Sequence, residues 1–205
     1  MMWPTVIAAL AGYLLGSLPF GFLVARAHGV DIFKAGSGNP GATNVKRVLG
    51  SKAGNTVLVL DLLKGAAAAA WPLLPFVQAP DSRMMGLAGV IAAVLGHSFS
   101  VFTKFKGGKG VATAAGGLVV LMPVSCLIGA AVWVLTFLAT RYVSLGSILA
   151  AIAVPTASWL RGNPLPLNLV AALVGLFVIV RHRENIKRLL NGTENKFVKK
   201  PRVQP

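Results

Sequence analysis

The sequence predicts an all-α fold, a polytopic transmembrane helix bundle of about seven spans with short or broken helices. Its composition is the first observation: the 205 residues are 55% hydrophobic and 12% charged, with a mean hydropathy of +0.73, whereas about a quarter of the residues in a soluble domain are charged. The second is that apolar stretches follow one another along the chain. The third is that the charges, 20 Lys and Arg against 5 Asp and Glu, fall mainly in three segments. Residues 1–205 are therefore interpreted as one membrane domain.

Six apolar stretches could each cross a bilayer, because a crossing needs roughly 20 apolar residues. They are residues 3–25, 54–79, 84–103, 111–140, 142–160 and 163–180. The first is a span and not a cleaved signal peptide, since no basic residue precedes it and its apolar run is too long. Within it, Gly12 and Gly16 form a GxxxG pattern, which predicts close helix packing. The lone cysteine, Cys126, excludes an intramolecular disulfide and is interpreted as a packing residue.

The basic segments set the orientation of the bundle. Residues 26–52 contain five Lys or Arg, residues 104–109 contain three and residues 181–202 contain eight. The positive-inside rule places all three segments on the cytoplasmic side. With the N-terminus outside, this requires an odd number of spans.

The extra crossing is expected in the longest apolar stretch, residues 111–140. As one helix it would be about 45 Å long, against a hydrocarbon core of ~30 Å. Pro123 is expected to divide it into helices at roughly 111–122 and 124–140, which gives seven spans and a cytoplasmic C-terminus. Five spans with additional surface helices are the alternative.

The first cytoplasmic loop combines glycines with hydrogen-bond donors. It matches GxGxxG from Gly36 to Gly41, but its flanks are membrane spans, which argues against a dinucleotide-binding unit. Glycines still let backbone amides approach an anion, and an arginine can bind a phosphate through two hydrogen bonds. The loop predicts a phosphate cradle, with a flexible turn as the alternative. Its candidate residues are Ser37, Gly38, Asn39, Thr43, Asn44 and Arg47.

The second cytoplasmic loop ends in a Gly-Gly-Lys-Gly motif directly before the next apolar stretch. It is not a Walker A loop, because Thr103 and Gly110 stand where that motif needs Gly and then Ser or Thr. A lysine at the start of a helix nevertheless favours an anion site, since the amides and the helix dipole assist it. The candidate residues are His97, Lys104, Gly107, Gly108, Lys109 and Gly110, whereas Lys106 is interpreted as a marker of the inner interface.

The basic tail, residues 181–205, is expected to be cytoplasmic and to contribute to the site. His182, Asn185 and Arg188 recur at three-residue intervals, so a helix would place them on one face. The alternative is an amphipathic tail on anionic lipid, which is preferred for Lys187, Lys199 and Lys200.

Two opposite charges, Asp61 and Lys64, lie three residues apart at membrane depth. Intramembrane charges are functional candidates by default, but a mutually neutralising structural pair is preferred here. The five acidic residues are scattered and the three histidines are isolated, so neither a metal site nor a cofactor is expected.

Together these motifs resemble those of the bacterial acyl-phosphate-dependent glycerol-3-phosphate acyltransferases. The resemblance extends over nearly the whole chain and is carried by Gly16-Ser17-Leu18-Pro19, residues 37–44, Gly96-His97, residues 105–110, and His182 with Asn185. It implies transfer of a fatty acyl group from acyl phosphate to the 1-hydroxyl of glycerol 3-phosphate, at the cytoplasmic face of the bacterial inner membrane. The products are lysophosphatidic acid and phosphate. The implied partners are both substrates, membrane lipid and the enzyme that makes acyl phosphate, and not nucleic acid.

The resemblance also implies roles for individual residues. Ser37, Gly38, Asn39 and the amides of the glycine pair 107–108 would hold the acyl phosphate. Glycerol 3-phosphate would be oriented by Arg47, Lys109, His182 and Asn185, although the division of the two phosphates stays open. Further contacts are expected from Thr43, Asn44, His97, Lys104, Gly110 and Arg188. Glu194 occupies the family's acidic position, where a structural salt bridge is expected.

A covalent acyl-enzyme is not expected. Other glycerol-phosphate acyltransferases use His-x4-Asp, but Phe33, Phe102 and Lys187 follow the three histidines at that distance. A Gly-x-Ser-x-Gly elbow is also lacking. The hydroxyl of the substrate would therefore attack directly, with its proton passing to a phosphate oxygen of the substrate or, alternatively, to His182.

A phosphate or organophosphate transporter is the alternative function, since it would also combine membrane helices with anion-binding loops. The placement of all three basic segments on one side and the lack of an evident internal repeat argue against it. A lipid-binding scaffold would account for the basic tail but not for the ordered glycine loops.

Overall fold

The computed structural model describes residues 3–74 and 81–197. These residues form α-helices and two short 3₁₀ turns, Trp71–Leu73 and Val101–Thr103, without a β-strand in either range. The helices are α1 Trp3–Ser17, α2 Phe20–Ala27, α3 Ala42–Leu49, α4 Ser51–Ala70, α5 Ser82–Ser98, α6 Val111–Leu121, α7 Pro123–Thr140, α8 Val143–Leu160, α9 Leu165–Arg181 and α10 Arg183–Leu190. The predicted all-α membrane fold is confirmed.

Five helical segments of the described chain are long and apolar enough to span a membrane. They are Trp3–Ala27, Ser51–Leu73, Ser82–Thr103, Pro123–Thr140 and Val143–Leu160. α9 and α10 meet the same criterion only as a pair, and they are bent by 58° where they join. α6 is apolar but has 11 residues, so it would reach only about 16 Å. The count of seven spans and the outside N-terminus therefore remain predictions.

The predicted break at Pro123 is present, because α6 ends at Leu121 and α7 begins at Pro123. Proline fits the first turn of a helix, where its missing N–H leaves no hydrogen bond unmade. A second break, between α1 and α2, falls at Leu18 and Pro19 and was not predicted. The end of the predicted span 54–79 lies outside the described residues, as do Lys199 and Lys200 of the tail.

Small residues let the helix backbones touch. α1 lies against α5, and a Cβ on Gly12 or Gly16 would overlap the backbone of Gly89 or Ala93. The predicted packing role of the GxxxG pattern is therefore confirmed. Cys126 is 8% exposed and belongs to the buried cluster around Val90 and Leu118, which also agrees with its interpretation as a packing residue.

Candidate active site

The first loop is shaped by the side chain of Asn44, which lies in the first turn of α3 and is 2% exposed. Its Oδ1 accepts from the Ser37 amide at 2.9 Å, and its Nδ2 donates to the Ala35 carbonyl at 3.0 Å. Gly36 and Gly38 have φ of +60° and +69°, values that favour glycine. Asn44 was expected to contact substrate, but both polar atoms of its side chain are engaged within the loop. Its contribution is to the shape of the cradle.

Two of the amides expected to hold a phosphate close the loops instead. The Gly38 amide donates to the Ala35 carbonyl at 3.0 Å, and the Gly108 amide donates to the His97 carbonyl at 3.1 Å. Because an amide carries one hydrogen, these two expected donors are corrected to structural bonds. The backbone path, which the sequence pattern does not show, decides which amides are free.

Other donors of the first loop have no such internal bond within the described ranges. The Ser37 side chain is exposed, and its hydroxyl makes no side-chain hydrogen bond there. Asn39 uses its Oδ1 to accept from the Gly41 amide at 2.9 Å, which leaves the amide nitrogen of the side chain available. Thr43 is half-buried in the first turn of α3.

Glu194 is the centre of a buried hydrogen-bond network. Its Oε1 accepts from Asn185 Nδ2 at 2.7 Å and from Ser144 Oγ at 2.9 Å, and its Oε2 accepts from Arg188 Nε at 2.7 Å. Burial alone would raise the pKa of Glu194, but these hydrogen bonds hold that pKa below its usual value. The expected salt bridge of Glu194 is therefore present, with Arg188 as its partner.

Lys109 joins the second loop to this network, since its Nζ donates to Asn185 Oδ1. Burial lowers the pKa of Lys109 to about 8; Glu194 opposes the shift, and the charges of Arg188, Arg181 and Arg47 add to it. A single carboxylate thus stands among four cations in this part of the described chain. Such an excess of partly buried positive charge favours an anionic ligand.

Arg47, in the last turn of α3, places the first basic segment beside Glu194 and Arg188. Its Nη2 donates to the Asn195 carbonyl at 3.2 Å, and burial lowers the pKa of Arg47, opposed by the nearby charge of Glu194. The three basic segments identified in the sequence therefore meet at one site, which we call the cation cluster: Arg47, Lys109, Arg181, Arg188 and the central Glu194.

His182 lies in the bend between α9 and α10 and is 3% exposed. Its Nδ1 is 2.7 Å from the Val178 carbonyl oxygen. Because a carbonyl can only accept, Nδ1 carries the hydrogen, and Nε2 of the neutral ring is left as an acceptor. The ring is thus held in one orientation with a basic nitrogen free.

The remaining candidates are not members of the cation cluster, although Gly110 directly follows Lys109. Asp61 and Lys64 form the predicted pair at 2.8 Å, and His97 Nδ1 is 3.5 Å from the same carboxylate oxygen. Lys104 is exposed in a left-handed conformation, with φ of +53°. Gly110, with φ of +78°, precedes the first residue of α6.

A model of the family described as glycerol-3-phosphate acyltransferase matches residues 6–192 of the chain. The chain belongs to this family. A curated glycerol-3-phosphate acyltransferase of Rubrobacter xylanophilus is 46% identical over 94% of each chain. One of Aquifex aeolicus is 46% identical over 90% of this chain and 95% of its own.

Solved structures of the family share the fold. A crystal structure of PlsY, described as an integral membrane glycerol 3-phosphate acyltransferase in its glycerol 3-phosphate form, matches with a TM-score of 0.88. It is 44% identical and covers 95% of this chain and 96% of its own. A second structure, of the lysophosphatidic acid form, matches with a TM-score of 0.85 at the same identity, over 95% of both chains.

Sequence reasoning missed two side chains of the candidate site. Arg181 donates to the Gly108 carbonyl at 3.0 Å and lies over the Phe99 ring at 5.1 Å. It belongs to the basic tail, but it falls outside the three-residue spacing that identified its neighbours. Ser144 bonds to Glu194 from the first turn of α8, and an isolated serine at the start of a span gives no signal that could have found it.

Proposed function

We propose that this chain transfers a fatty acyl group from acyl phosphate to the 1-hydroxyl of glycerol 3-phosphate, producing lysophosphatidic acid and inorganic phosphate. The cation cluster carries the proposal, because four cations around one carboxylate suit a reaction between two phosphorylated substrates. One pair of unit charges 4 Å apart is worth about 4 kcal/mol at an effective dielectric of 20. The glycerol 3-phosphate and lysophosphatidic acid forms of the related PlsY support the acceptor and the product.

The phosphate of glycerol 3-phosphate is assigned to the cation cluster. Lys109 reaches it from the second loop and Arg47 from the last turn of α3, and Asn185 holds the Lys109 ammonium group. Arg188 is already paired with Glu194, so its charge contributes more than its hydrogen bonds do. The acceptor hydroxyl is then brought toward His182, whose Nε2 is free to accept a hydrogen bond.

The acyl phosphate is assigned to the glycine loops. The Ser37 hydroxyl and the Asn39 side-chain amide are donors of the first loop that the loop itself does not use. In the second loop the Gly107 amide keeps the role expected of both glycines, because the Gly108 amide closes the loop on His97. Acyl phosphate is an activated mixed anhydride, so the protein needs to supply position and charge stabilisation rather than a nucleophile.

The transfer is a single displacement. The 1-hydroxyl oxygen of glycerol 3-phosphate attacks the acyl carbonyl carbon, the bond from that carbon to the phosphate oxygen breaks, and phosphate leaves with the electron pair. The hydroxyl proton passes to a substrate phosphate oxygen. Cys126 is buried in helix packing, and Ser37 has no basic side chain bonded to it in the described ranges, so neither is an activated nucleophile.

His182 is the alternative to a substrate phosphate oxygen as the acceptor of the hydroxyl proton. A substitution of His182 distinguishes the two. The His182→Asn variant keeps a donor near the Nδ1 position but loses the Nε2 acceptor. If a substrate phosphate takes the proton, this variant raises the KM for glycerol 3-phosphate and leaves the acidic limb of the kcat–pH profile where it was. Displacement of that limb would make His182 the base.

The proposed reaction is tested with purified protein, acyl phosphate and glycerol 3-phosphate, with no other acyl donor present. Equal amounts of lysophosphatidic acid and phosphate are expected. Parallel reactions with an acyl thioester as donor are expected to give little product. Folded protein that forms product only from the thioester would overturn the choice of donor, and folded protein inactive with both would overturn the reaction.

The same proposal places the site at the cytoplasmic face of a bacterial inner membrane. It rests on the three basic segments that meet in the cation cluster, because basic loops stay on the cytoplasmic side. Acyl phosphate would then be delivered from the cytoplasm or the inner leaflet by the enzyme that makes it.

A further inference from the structure

A second group of charged side chains is buried beneath the second loop, outside the cation cluster. The side chains of Asp61 and Lys64 on α4 are each 3% exposed, and that of His97 on α5 is 9% exposed. Asp61 Oδ1 lies 2.8 Å from Lys64 Nζ and 3.5 Å from His97 Nδ1. We call these three residues the buried triad.

On one side the buried triad reaches the break between α1 and α2. Lys64 Nζ donates to the Leu18 carbonyl at 2.8 Å, in the break where Pro19 interrupts the helix. Ser100, two residues beyond the C-terminal end of α5, donates through its hydroxyl to the neighbouring Ser17 carbonyl. Two side chains from different elements thus bond to the carbonyls at this break.

On the other side the buried triad reaches the loop that carries Lys109. The His97 carbonyl accepts the Gly108 amide at 3.1 Å. The His97 ring lies so close to Gly108 that a Cβ there would overlap Nε2, and a Cβ on Gly107 would overlap the His97 carbonyl. His97 therefore supports both glycines directly before Lys109, while its Nδ1 faces Asp61.

The Leu18 carbonyl satisfies a second donor of the Lys64 ammonium group, as any buried lysine requires, but neutralising the pair does not require the approach of Asp61 to His97. Replacing a buried ion pair by apolar side chains of similar volume is often neutral or stabilising. In this chain Asp61 of the pair also lies 3.5 Å from the ring that lies under Gly108. Apolar residues in place of Asp61 and Lys64 would leave the His97 ring, and with it the second loop, without this support.

We propose that Asp61, Lys64 and His97 are positioning residues that hold Gly107, Gly108 and Lys109 in the geometry that binds a substrate phosphate. Asp61 acts through the His97 ring, and Lys64 acts by fixing Asp61 and the Leu18 carbonyl. The inference rests on the proposed phosphate role of the second loop. It gives His97, which was expected to contact substrate, a supporting role behind the glycines instead.

The first test replaces both charges at once. In an Asp61→Leu/Lys64→Met variant no buried charge is left without a partner, so the fold is expected to persist. The KM for glycerol 3-phosphate, and its Kd by calorimetry without any acyl donor, are expected to rise at least tenfold, whereas kcat falls by less than threefold. A folded variant with wild-type KM and Kd overturns the inference.

The chain offers a matched control in Asp31 and Lys34. They have the same three-residue spacing and lie 3.7 Å apart, but their side chains are 49% and 86% exposed. The Asp31→Asn/Lys34→Met variant removes the same charges and keeps an acceptor for the Phe33 amide, which Asp31 Oδ1 binds at 3.1 Å. Its KM and Kd are expected to match wild type, and an equal rise in the control would overturn the inference.

If the double variant does not fold, two variants of His97 test the inference instead. His97→Asn keeps a nitrogen donor near the Nδ1 position, facing Asp61, whereas His97→Leu keeps volume alone. The asparagine variant is expected to bind glycerol 3-phosphate more tightly than the leucine variant, and equal affinities overturn the inference. Wild-type protein that binds no glycerol 3-phosphate would instead overturn the proposed function.

Discussion

At the scale of single residues, Lys109 connects the electrostatics of the site to a measurable pH dependence. Burial and the neighbouring arginines lower the pKa of its ammonium group to about 8. The charged form, which is needed to bind phosphate, is therefore complete below pH 7 and is lost as the pH rises through 8. We expect kcat/KM for glycerol 3-phosphate to fall above pH 8, because this parameter reports the free enzyme.

The Lys109→Arg variant provides the comparison for this pH profile. Arginine stays protonated to beyond pH 12, so whatever activity the variant keeps should not decline between pH 8 and pH 10. A wild-type profile that is flat to pH 10 would show that the charge of Lys109 does not contribute to binding.

The residues that could be predicted from the sequence are those whose chemistry is local. Arg47, Lys109 and Asn185 were found because glycine-rich segments and helix periodicity place their donors beside expected anion positions. Arg47 and Lys109 do meet in the cation cluster, and Asn185 bonds to Lys109 and Glu194 there. Asn44, Gly38 and Gly108 were expected to contact substrate, but their polar atoms hold the loops together. Which amide closes a loop depends on the path of the backbone, and motif spacing contains no information about that path.

At the scale of elements, the segment that follows α10, residues 191–197, connects separate parts of the candidate site. The Asn195 carbonyl accepts from Arg47, and the Phe197 amide donates to the Arg141 carbonyl at 2.9 Å. The Phe197 ring meets Phe137 of α7 edge to face at 6.1 Å. This segment therefore links the first loop to the turn between α7 and α8, and it brings Glu194 between them.

Phe197→Ala is expected to loosen this segment and, through it, Arg47. An aromatic pair contributes about 0.5–1.5 kcal/mol beyond its buried area, so the KM for glycerol 3-phosphate should rise roughly twofold to tenfold. The control is Leu190→Ala, since Leu190 is 82% exposed at the end of α10. If Phe197→Ala has wild-type KM, the segment does not position Arg47.

Element boundaries were predictable where one residue type decides them. Pro123 divides the longest apolar stretch, because proline cannot donate the hydrogen bond that continues a helix and crowds the preceding turn; Pro155, by contrast, lies inside α8 without dividing it. The break at Leu18 and Pro19 was not predicted, although it contains a proline as well. It lies inside an apolar stretch of ordinary span length, so nothing in the hydropathy indicated that one helix would be two.

At the scale of the whole molecule, the charge distribution predicts topology. Seven spans place Arg161 outside and Lys187 inside, and both residues are exposed at their helix ends. Cysteines at these positions, in a Cys126→Ser background, are to be tested with a membrane-impermeant thiol reagent on intact cells. We expect Arg161→Cys to react directly and Lys187→Cys to react only after permeabilisation. Equal reactivity at both positions in intact cells would contradict the seven-span topology.

The cations behind the net charge of +15 thus serve two roles, orientation in the membrane and binding of phosphate. Most of the cations orient the bundle in the membrane, and four of them, together with Glu194, form the candidate phosphate site. Composition alone allowed nucleic acid, lipid or small phosphate ligands as partners. The close approach of three distant segments, which only the folded chain shows, favours the small phosphate ligands.

The central claim, direct transfer from acyl phosphate at this site, is tested most directly by a single-turnover experiment with acyl-labelled acyl phosphate and excess enzyme. With glycerol 3-phosphate present, all transferred label should appear in lysophosphatidic acid, with one phosphate released for each molecule formed. Without glycerol 3-phosphate, no label should be attached to the protein. Label that becomes covalently bound to the protein and then passes to glycerol 3-phosphate would contradict the account.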